Sequence, residues 1–407
     1  MKRQQWLAVK AEAGKSRAHG WPTMQIAQLM NSADQIEKIR RMILKLASFL
    51  KSTGAIANIV ILSFATFLGA ALSASEQKAS DGDVREVSSS SLSKISANIA
   101  EQYPSVRALA LVQGNCVVFE YYRKDIDTET QSPVYSVTKS VLSILVGIAI
   151  DEGFLRLDEK LSEVFPEEFD EKVDPLARDI TVRDLLTMTD GFEAGGWGHF
   201  KVGAGVSGKP KIWRWMLNRR VNYPGGAHFR YDGIGSDLLS VVLSTAIKQS
   251  AADFAKQKLF GPLHIDNYTW HSDTEGYLYG ESGLYLTARD MAKIGILYLQ
   301  NGRWGDVQVV SAAYARDSTT KHNDGGPPVK SAYGYQWWIN ESGTDLAAFF
   351  AAGQKSQLIY VVPKRDLVFS VAADSIPGGR QKFIDNVVLP AAIGLSEPLR
   401  CVAPGAQ

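Results

Sequence analysis

The stretch PVYSVTKSVLSILVGIAIDEG, residues 133–153, places a serine and a lysine three positions apart at the head of a long apolar run. The run 137–150 is too long for one strand, so it predicts a helix, with Gly153 as its C-cap. Ser136 and Lys139 then share one helix face, with Cβ atoms about 5–6 Å apart. Because an ammonium group that loses its water without a partner costs several kcal/mol, Lys139 is either a surface lysine or a base with a function.

The chemistry of this pair is compatible with a nucleophilic serine, and a surface lysine remains the alternative. A helix N-terminus stabilises negative charge on the Ser136 oxygen, and burial favours the neutral amine of Lys139. A neutral lysine can accept the hydroxyl proton, so no histidine is required. The chain has other Ser-x-x-Lys pairs, at 48/51, 75/78, 91/94 and 318/321. Only the pair at 136/139 opens an apolar helix, which makes it the candidate.

The surrounding segments predict an α+β fold. Two strands around a Gln-Gly-Asn turn are predicted at 108–123, and two or three more at 347–373. Predicted helices lie at 180–192, capped by Thr181 and ended by Gly191, at 236–260 with a break near Ser250, at 287–302 and at 381–394. Residues 193–226 predict a loop-heavy insertion. Strands at both ends with helices between them favour one sheet built from both chain ends, flanked by helices, with an inserted helical region.

The N-terminal region has the pattern of a targeting signal. Residues 55–74 are apolar and uncharged, with Lys45 and Lys51 before them and small residues at their end. This pattern is typical of a signal peptide, and translation from Met42 would give that peptide an ordinary length. A single membrane anchor remains the alternative, since about 20 residues span a bilayer. Either interpretation predicts a periplasmic, secreted or membrane-anchored protein whose body lies outside the cytoplasm.

The chain is thereby divided into a targeting region, 1–74, a polar Ser-rich linker, 75–94, and one domain, 95–400. Residues 1–74 carry ten Lys/Arg and three Asp/Glu, which leaves 34 basic and 40 acidic groups and a net charge of −6 on the remainder. Such a mildly acidic body has no electrostatic footprint for nucleic acid. The six histidines of the whole chain form no metal or triad pattern, so no metal or other cofactor is expected.

Cys116 and Cys401 are the two cysteines of the chain. They fit an oxidising compartment. They can pair if the C-terminus returns to the N-terminal strands, but two unpaired thiols are the favoured expectation.

A series of motifs carries a family resemblance. YSVTKSVLSILVGIAIDEG is followed by ITVRDLLTMTDGF, and then by FRYDGIGSDLL, LFGPLHI, GLYLTARDMAKIGILYLQNGRW, YGYQWW and FFAAGQKSQLIYVVP. Over about residues 95–395 the chain resembles the serine hydrolases of the β-lactamase-like, penicillin-recognising superfamily. Within it, the chain resembles the branch of class C β-lactamases, esterases and nylon-oligomer (aminohexanoate-dimer) hydrolases, and the last most of all. The resemblance implies a β-lactamase/transpeptidase-like fold and a nucleophilic Ser-x-x-Lys serine.

The resemblance also implies a role for each matched residue. Ser136 is the nucleophile, and Lys139 accepts its proton. Tyr231 matches the tyrosine of the family's Tyr-x-Asn motif, which acts as a base and then protonates the leaving group; an ordinary buried tyrosine is the alternative. Gly353 matches the glycine of the Lys-Thr-Gly strand, and the N–H of Gln354 would form an oxyanion hole with that of Ser136.

Two departures from the family pattern bear on the substrate. The third position of the tyrosine motif is Gly233, where the family has an asparagine that contacts the substrate amide. Ala351 stands where lactamases carry the lysine that grips the penicillin carboxylate. Lys355 can replace the missing cation only if its side chain points toward the site. Short esters or linear amides are therefore favoured over β-lactams.

Tryptophans in the insertion are candidates for an acyl pocket. Trp197, Trp213 and Trp215 either line such a pocket, as aromatic side chains often do, or pack within the helical region. Trp197 is the one assigned to substrate binding. Trp337 and Trp338 are expected in the core.

Three functional hypotheses follow. The favoured one is an exported serine hydrolase that cleaves a small-molecule ester or linear amide through a Ser136 acyl-enzyme. The alternative enzyme is a β-lactamase or D,D-peptidase. The alternative of another class is a non-catalytic protein that binds or senses cell-wall fragments or β-lactams. The chain has no Gly-x-Ser-x-Gly elbow, which argues against an α/β-hydrolase.

Overall fold

The computed structural model of the protein describes residues 89–114, 116–194 and 212–390. The predicted targeting region 1–74, most of the predicted linker, Trp197 and Cys401 lie outside these residues. Within the described ranges, none of the helices combines the length and apolarity needed to cross a lipid bilayer.

The helices of the described chain pack around one large sheet. In chain order they are α1 Ser89–Gln102, α2 Val137–Asp151, α3 Leu161–Val164, α4 Val182–Leu186, α5 Ile212–Leu217, α6 Gly233–Ile247, α7 Ala251–Ala255, α8 Ala288–Leu299, α9 Ala312–Ser318 and α10 Gly379–Phe383. Short 3-10 turns lie at Pro175–Asp179, Gln354–Ser356 and Pro363–Arg365. The π-helical turns Lys256–Phe260 and Ile384–Val388 continue α7 and α10.

The strands confirm a sheet built from both ends of the domain. They are β1 Val106–Gln113, β2 Cys116–Tyr122, β3 Ser132–Pro133, β4 Thr269–Trp270, β5 Leu284–Leu286, β6 Arg303–Trp304, β7 Val307–Gln308, β8 Asn323–Gly326, β9 Ser331–Tyr333, β10 Trp338–Asn340, β11 Ala348–Ala352, β12 Leu358–Val362 and β13 Leu367–Ala373. The large sheet has the order β2-β1-β13-β12-β11-β10-β9-β8 and is antiparallel throughout. Two small sheets, β3-β5-β4 and β6-β7, flank it.

The large sheet is buried on both faces. Alternate residues of a strand point to opposite sides, and β13 shows this clearly. Val368 and Ala372 join the core that contains α2, α6 and α8, whereas Phe369 and Val371 join the core that contains α1 and α10. The α+β architecture with an inserted helical region is therefore confirmed.

Side-chain capping explains where α4 starts and where it ends. The Thr181 hydroxyl accepts a hydrogen bond from the main-chain N–H of Asp184 at the start of α4, as expected. The prediction that Gly191 ends this helix is wrong, because α4 ends at Leu186. The Thr187 hydroxyl donates back to the carbonyl of Arg183 and competes with further helical hydrogen bonds. Gly191 instead forms a tight turn, with φ of 76°.

Two further features differ from, or refine, the sequence-based expectations. Helix α1 begins at Ser89, inside the stretch predicted to be a linker. Cys116, the first residue of β2, is disulfide-bonded. The expectation of an unpaired thiol is therefore wrong for Cys116.

Candidate active site

Ser136 and Lys139 lie side by side at the start of α2. Ser136 is the N-cap residue of the helix, and its hydroxyl makes no capping hydrogen bond. The Nζ of Lys139 donates a hydrogen bond to the Ser136 Oγ across 3.1 Å. The helix therefore holds the two groups in direct contact, one turn apart, as their spacing predicts.

Lys139 is buried, with 2% of its surface exposed. Its Nζ also donates to the main-chain carbonyl of Glu281 across 2.8 Å and lies 5.1 Å from the centre of the Tyr231 ring. The interpretation of Lys139 as a surface lysine is therefore wrong. A buried amine with one serine, one carbonyl and one aromatic ring around it is suited to proton transfer.

The backbone before Ser136 is held in an unusual conformation. Tyr135 has φ of 48°, a left-handed value that few bulky residues adopt. Such conformations persist only where the surrounding structure imposes them, and they occur often at functional sites. Here the turn carries the chain from β3 into α2 with Ser136 at the junction.

Tyr231 is placed by the residues on either side of it. Asp232 is the N-cap of α6, and its side chain accepts from the main-chain N–H of Ile234. The Tyr231 ring stacks on Trp338, with centroids 5.4 Å apart and an interplanar angle of 24°. Tyr231 is thus a half-buried side chain packed against the core, with Lys139 on its face.

A buried charged cluster lies behind Tyr231. Arg219 Nη1 donates to Asp232 Oδ2 across 2.7 Å, and Arg230 Nη2 lies 3.5 Å from the same oxygen. Asp190 accepts from the main-chain N–H of Phe192, but within the described residues its Oδ2 has no hydrogen-bond partner. Burial, and then the charge of Asp232, raise the pKa of Asp190 to about 7, although Arg219 and Arg230 oppose this.

The end of β11 comes directly against the turn that carries Ser136. A Cβ placed on Gly353 would lie 2.3 Å from the carbonyl oxygen of Val134, so a side chain at 353 would push the strand away from the turn before Ser136. Within the described chain, the main-chain N–H groups of Ser136 and Gln354 have no acceptor. Two unengaged donors beside the Ser136 hydroxyl fit the requirement of an oxyanion hole.

Two cations lie near this strand end. The Nζ of Lys355 lies 5.7 Å from the centre of the Tyr135 ring, so its side chain points toward the turn that precedes Ser136. Arg380, at the start of α10, donates from Nη1 to the carbonyl of Gly353 across 2.9 Å. Burial lowers the pKa of the Arg380 guanidinium, and the nearby Tyr231 opposes the shift. Sequence reasoning missed Arg380, because no motif places α10 at the site.

The space expected for the family's asparagine is filled by another residue. A Cβ on Gly233 would lie 1.5 Å from Oε2 of Glu281. Glu281 thus approaches the first turn of α6 with its carboxylate, while its carbonyl binds Lys139. Sequence reasoning missed Glu281 as well, and the only available signal was the unexplained glycine.

Two of the three tryptophans of the insertion, Trp213 and Trp215, lie within the described residues. Trp213 is 7% exposed and stacks on Phe165, with centroids 4.9 Å apart, so it packs within the helical region. Trp215 is 40% exposed. Trp197 lies outside the described residues. Trp337 and Trp338 are in the core, as expected.

Comparison with known proteins agrees with this architecture. The family model described as Beta-lactamase matches residues 92–388, which is most of the chain. The protein belongs to this family of hydrolases and has its β-lactamase/transpeptidase-like fold. The family resemblance of the sequence motifs is thereby confirmed.

Individual relatives are distant. The chain is 23% identical to the 6-aminohexanoate-dimer hydrolase of Paenarthrobacter ureafaciens over 284 residues, which cover 64% of this chain and 70% of the relative.

Among solved structures, EstCE1, a hydrolase with promiscuous acyltransferase activity, superposes with a TM-score of 0.61 at 15% identity, over 74% of this chain and 97% of its own. The octameric penicillin-binding protein homologue of Pyrococcus abyssi gives 0.60 at 20% identity, over 77% of this chain and 79% of its own.

Proposed function

We propose that the protein is a serine hydrolase that cleaves an ester or a linear amide through an acyl-enzyme on Ser136. One observation carries the proposal: the buried Nζ of Lys139 lies 3.1 Å from the Ser136 Oγ and 5.1 Å from the Tyr231 ring. The three side chains to which we assign the nucleophile, the proton acceptor and the second proton-transfer group therefore lie next to one another, which supports the proposal.

The arrangement suggests an order of events. Ser136 attacks the substrate carbonyl as its proton passes to Lys139, and the N–H groups of Ser136 and Gln354 stabilise the oxyanion. Tyr231 protonates the leaving group, and the resulting phenolate takes a proton from the water that attacks the acyl-enzyme. Lys139 then returns its proton to the Ser136 oxygen as the acid leaves. All of these steps use groups of this chain.

The substrate class follows from the departures in the family pattern and from the relatives. Ala351 is buried in β11 and offers no charge to a β-lactam carboxylate. The relatives include a 6-aminohexanoate-dimer hydrolase and a hydrolase with promiscuous acyltransferase activity. Both support an ester or linear amide as the substrate of this chain.

The test is intact-mass spectrometry with p-nitrophenyl acetate, combined with measurement of released nitrophenol. We expect an acetyl adduct and sustained release, both lost in Ser136→Ala. The matched control is Ser143→Ala, a buried serine of the same helix that bonds Tyr314 instead; it should retain both. An acetyl adduct that still forms in Ser136→Ala would overturn the proposal. A stable adduct without turnover in the unaltered protein would favour the binding or sensor protein.

Arg380 favours one second candidate, a β-lactamase or D,D-peptidase. Its guanidinium binds the carbonyl of Gly353, at the strand end where the family's lysine is absent. A cation there can pair with a substrate carboxylate. Turnover of nitrocefin faster than that of p-nitrophenyl acetate would select this candidate.

We also propose that the domain works outside the cytoplasm. The disulfide-bonded state of Cys116 supports this location, because disulfides persist mainly in oxidising compartments. Fractionation of cells that produce the full chain, with the position of the mature N-terminus, tests it; a cytoplasmic, uncleaved chain would overturn the proposal.

A further inference from the structure

Gly233 is the first residue of α6, two positions after Tyr231. Its φ does not lie in the left-handed region, so its backbone conformation does not demand glycine. The space beside it is occupied by Glu281: a Cβ would lie 1.5 Å from Oε2, 2.7 Å from Cδ and 3.2 Å from Cβ of Glu281, so the carboxylate would have to move. The glycine and the glutamate therefore form one arrangement, in which a carboxylate from another segment occupies the volume of a side chain at 233.

The main chain of Glu281 is fixed on two sides. Its carbonyl accepts from Nζ of Lys139 across 2.8 Å, and its N–H donates to Oδ1 of Asp237, on α6, across 2.9 Å. Because Lys139 Nζ also contacts the Ser136 Oγ, Glu281 belongs to the wall around the reacting atoms. Its side chain is partly exposed, so it reaches the surface of that wall.

We propose that Glu281 is a specificity-determining residue that accepts a hydrogen bond from an ammonium or amide N–H on the acyl part of the substrate. The inference rests on the proposed hydrolase function. An asparagine side chain both donates and accepts, whereas a carboxylate only accepts. The exchange therefore selects donor groups, favours a positive charge through a charge-assisted hydrogen bond and repels an anionic acyl chain.

Contacts of Glu281 within the protein are compatible with this role. A carboxylate has two oxygens and about four lone-pair directions, so it can accept from the protein and from a substrate at once.

The test uses the full-length protein and three p-nitrophenyl esters of similar acyl length: 6-aminohexanoate, heptanoate and the half-ester of adipate. We expect kcat/KM to fall in that order. Glu281→Gln should lower kcat/KM about tenfold for the ammonium ester, which corresponds to the loss of one charge-assisted hydrogen bond. The same substitution should change kcat/KM for the neutral ester less than about twofold and should raise kcat/KM for the anionic ester. Glu275→Gln, an exposed glutamate in the chain just before Glu281, is the control and should leave the order unchanged.

A second variant pair separates specificity from folding. Gly233→Asn combined with Glu281→Ala restores the family pattern, and we expect it to remove the preference for the ammonium ester while Ser136-dependent turnover remains. An equal effect of Glu281→Gln on all three esters would overturn this inference and leave the hydrolase intact. Absence of Ser136-dependent turnover from the unaltered protein would overturn the hydrolase function and this inference with it.

Discussion

Arg380 donates a hydrogen bond to the main-chain carbonyl of Gly353 across 2.9 Å. The contact ties the start of α10 to the end of β11, beside the candidate oxyanion hole. It also brings a cation next to Tyr231, which acts on the leaving group in the proposed mechanism. Arg380 is therefore placed to affect substrates that carry an anion on the leaving group.

Replacement of Arg380 should have a charge-dependent effect. Arg380→Met is expected to lower kcat/KM for 3-acetoxybenzoate about tenfold, the value of one hydrogen bond to a charged group. The uncharged methyl ester of the same compound should change less than about threefold. Lys382→Met, an exposed cation of the same helix, is the control. Equal losses on both esters would show that Arg380 only shapes the strand end.

Removal of the Tyr231 hydroxyl should abolish most turnover without unfolding the protein. Tyr231→Phe keeps the stacking on Trp338, but it removes the proton-transfer group, so kcat should fall about 10²–10⁴-fold. Tyr333→Phe makes the same chemical change in the ring that meets Tyr231 edge-on, and it should keep most activity. Similar kcat values for the two variants would contradict the role assigned to Tyr231.

The close approach of Gly233 and Glu281 predicts a change of sign in a double-mutant cycle. Gly233→Ala in the unaltered protein should lower the free energy of unfolding by about 1–3 kcal/mol, because the new methyl group overlaps the Glu281 carboxylate. In a Glu281→Ala background the same substitution should be neutral or stabilising by about 0.4–1 kcal/mol, since alanine restricts the unfolded chain more than glycine does. Denaturant unfolding of the four proteins gives the coupling. Additive effects would mean that the two residues do not touch.

Asp190 predicts a pH dependence of stability. Its pKa is about 7 in the folded protein and about 4 in an unfolded chain. Between these values the folded state holds the proton and the unfolded state does not, so this group's contribution to stability falls as pH rises from about 4 to about 7.

Asp190→Asn should remove this part of the pH profile. The free energy of unfolding of the variant minus that of the unaltered protein is expected to increase from pH 5 to pH 8. Each unit of pKa displacement corresponds to about 1.4 kcal/mol. Denaturant unfolding at the two pH values measures the gain. Asp266→Asn, at an exposed carboxyl, is the control. A pH profile unchanged by Asp190→Asn would show that Asp190 is ionised across the range.

The sequence predicted the parts of the site that depend on local geometry. Ser136 and Lys139 are three residues apart on one helix, so helical periodicity alone brings them together. Tyr231 was predicted because its motif is recognisable, and the strands at both ends of the domain predicted the sheet. The end of α4 was predicted wrongly, because the Thr187 hydroxyl competes for a backbone carbonyl before Gly191 is reached.

Contacts between distant segments were decided only by the tertiary structure. Lys139 meets the carbonyl of Glu281 across 142 residues of chain, and Arg380 meets that of Gly353 across 27. Neither contact leaves a periodic pattern in the sequence, because each depends on how a loop or helix packs against the sheet. The sequence by itself determined that Ser136 and Lys139 lie together at the start of one helix, and it predicted the fold that carries them. The charges placed around that pair were set by packing, because only the folded chain brings Glu281 against Gly233 and Arg380 against the end of β11.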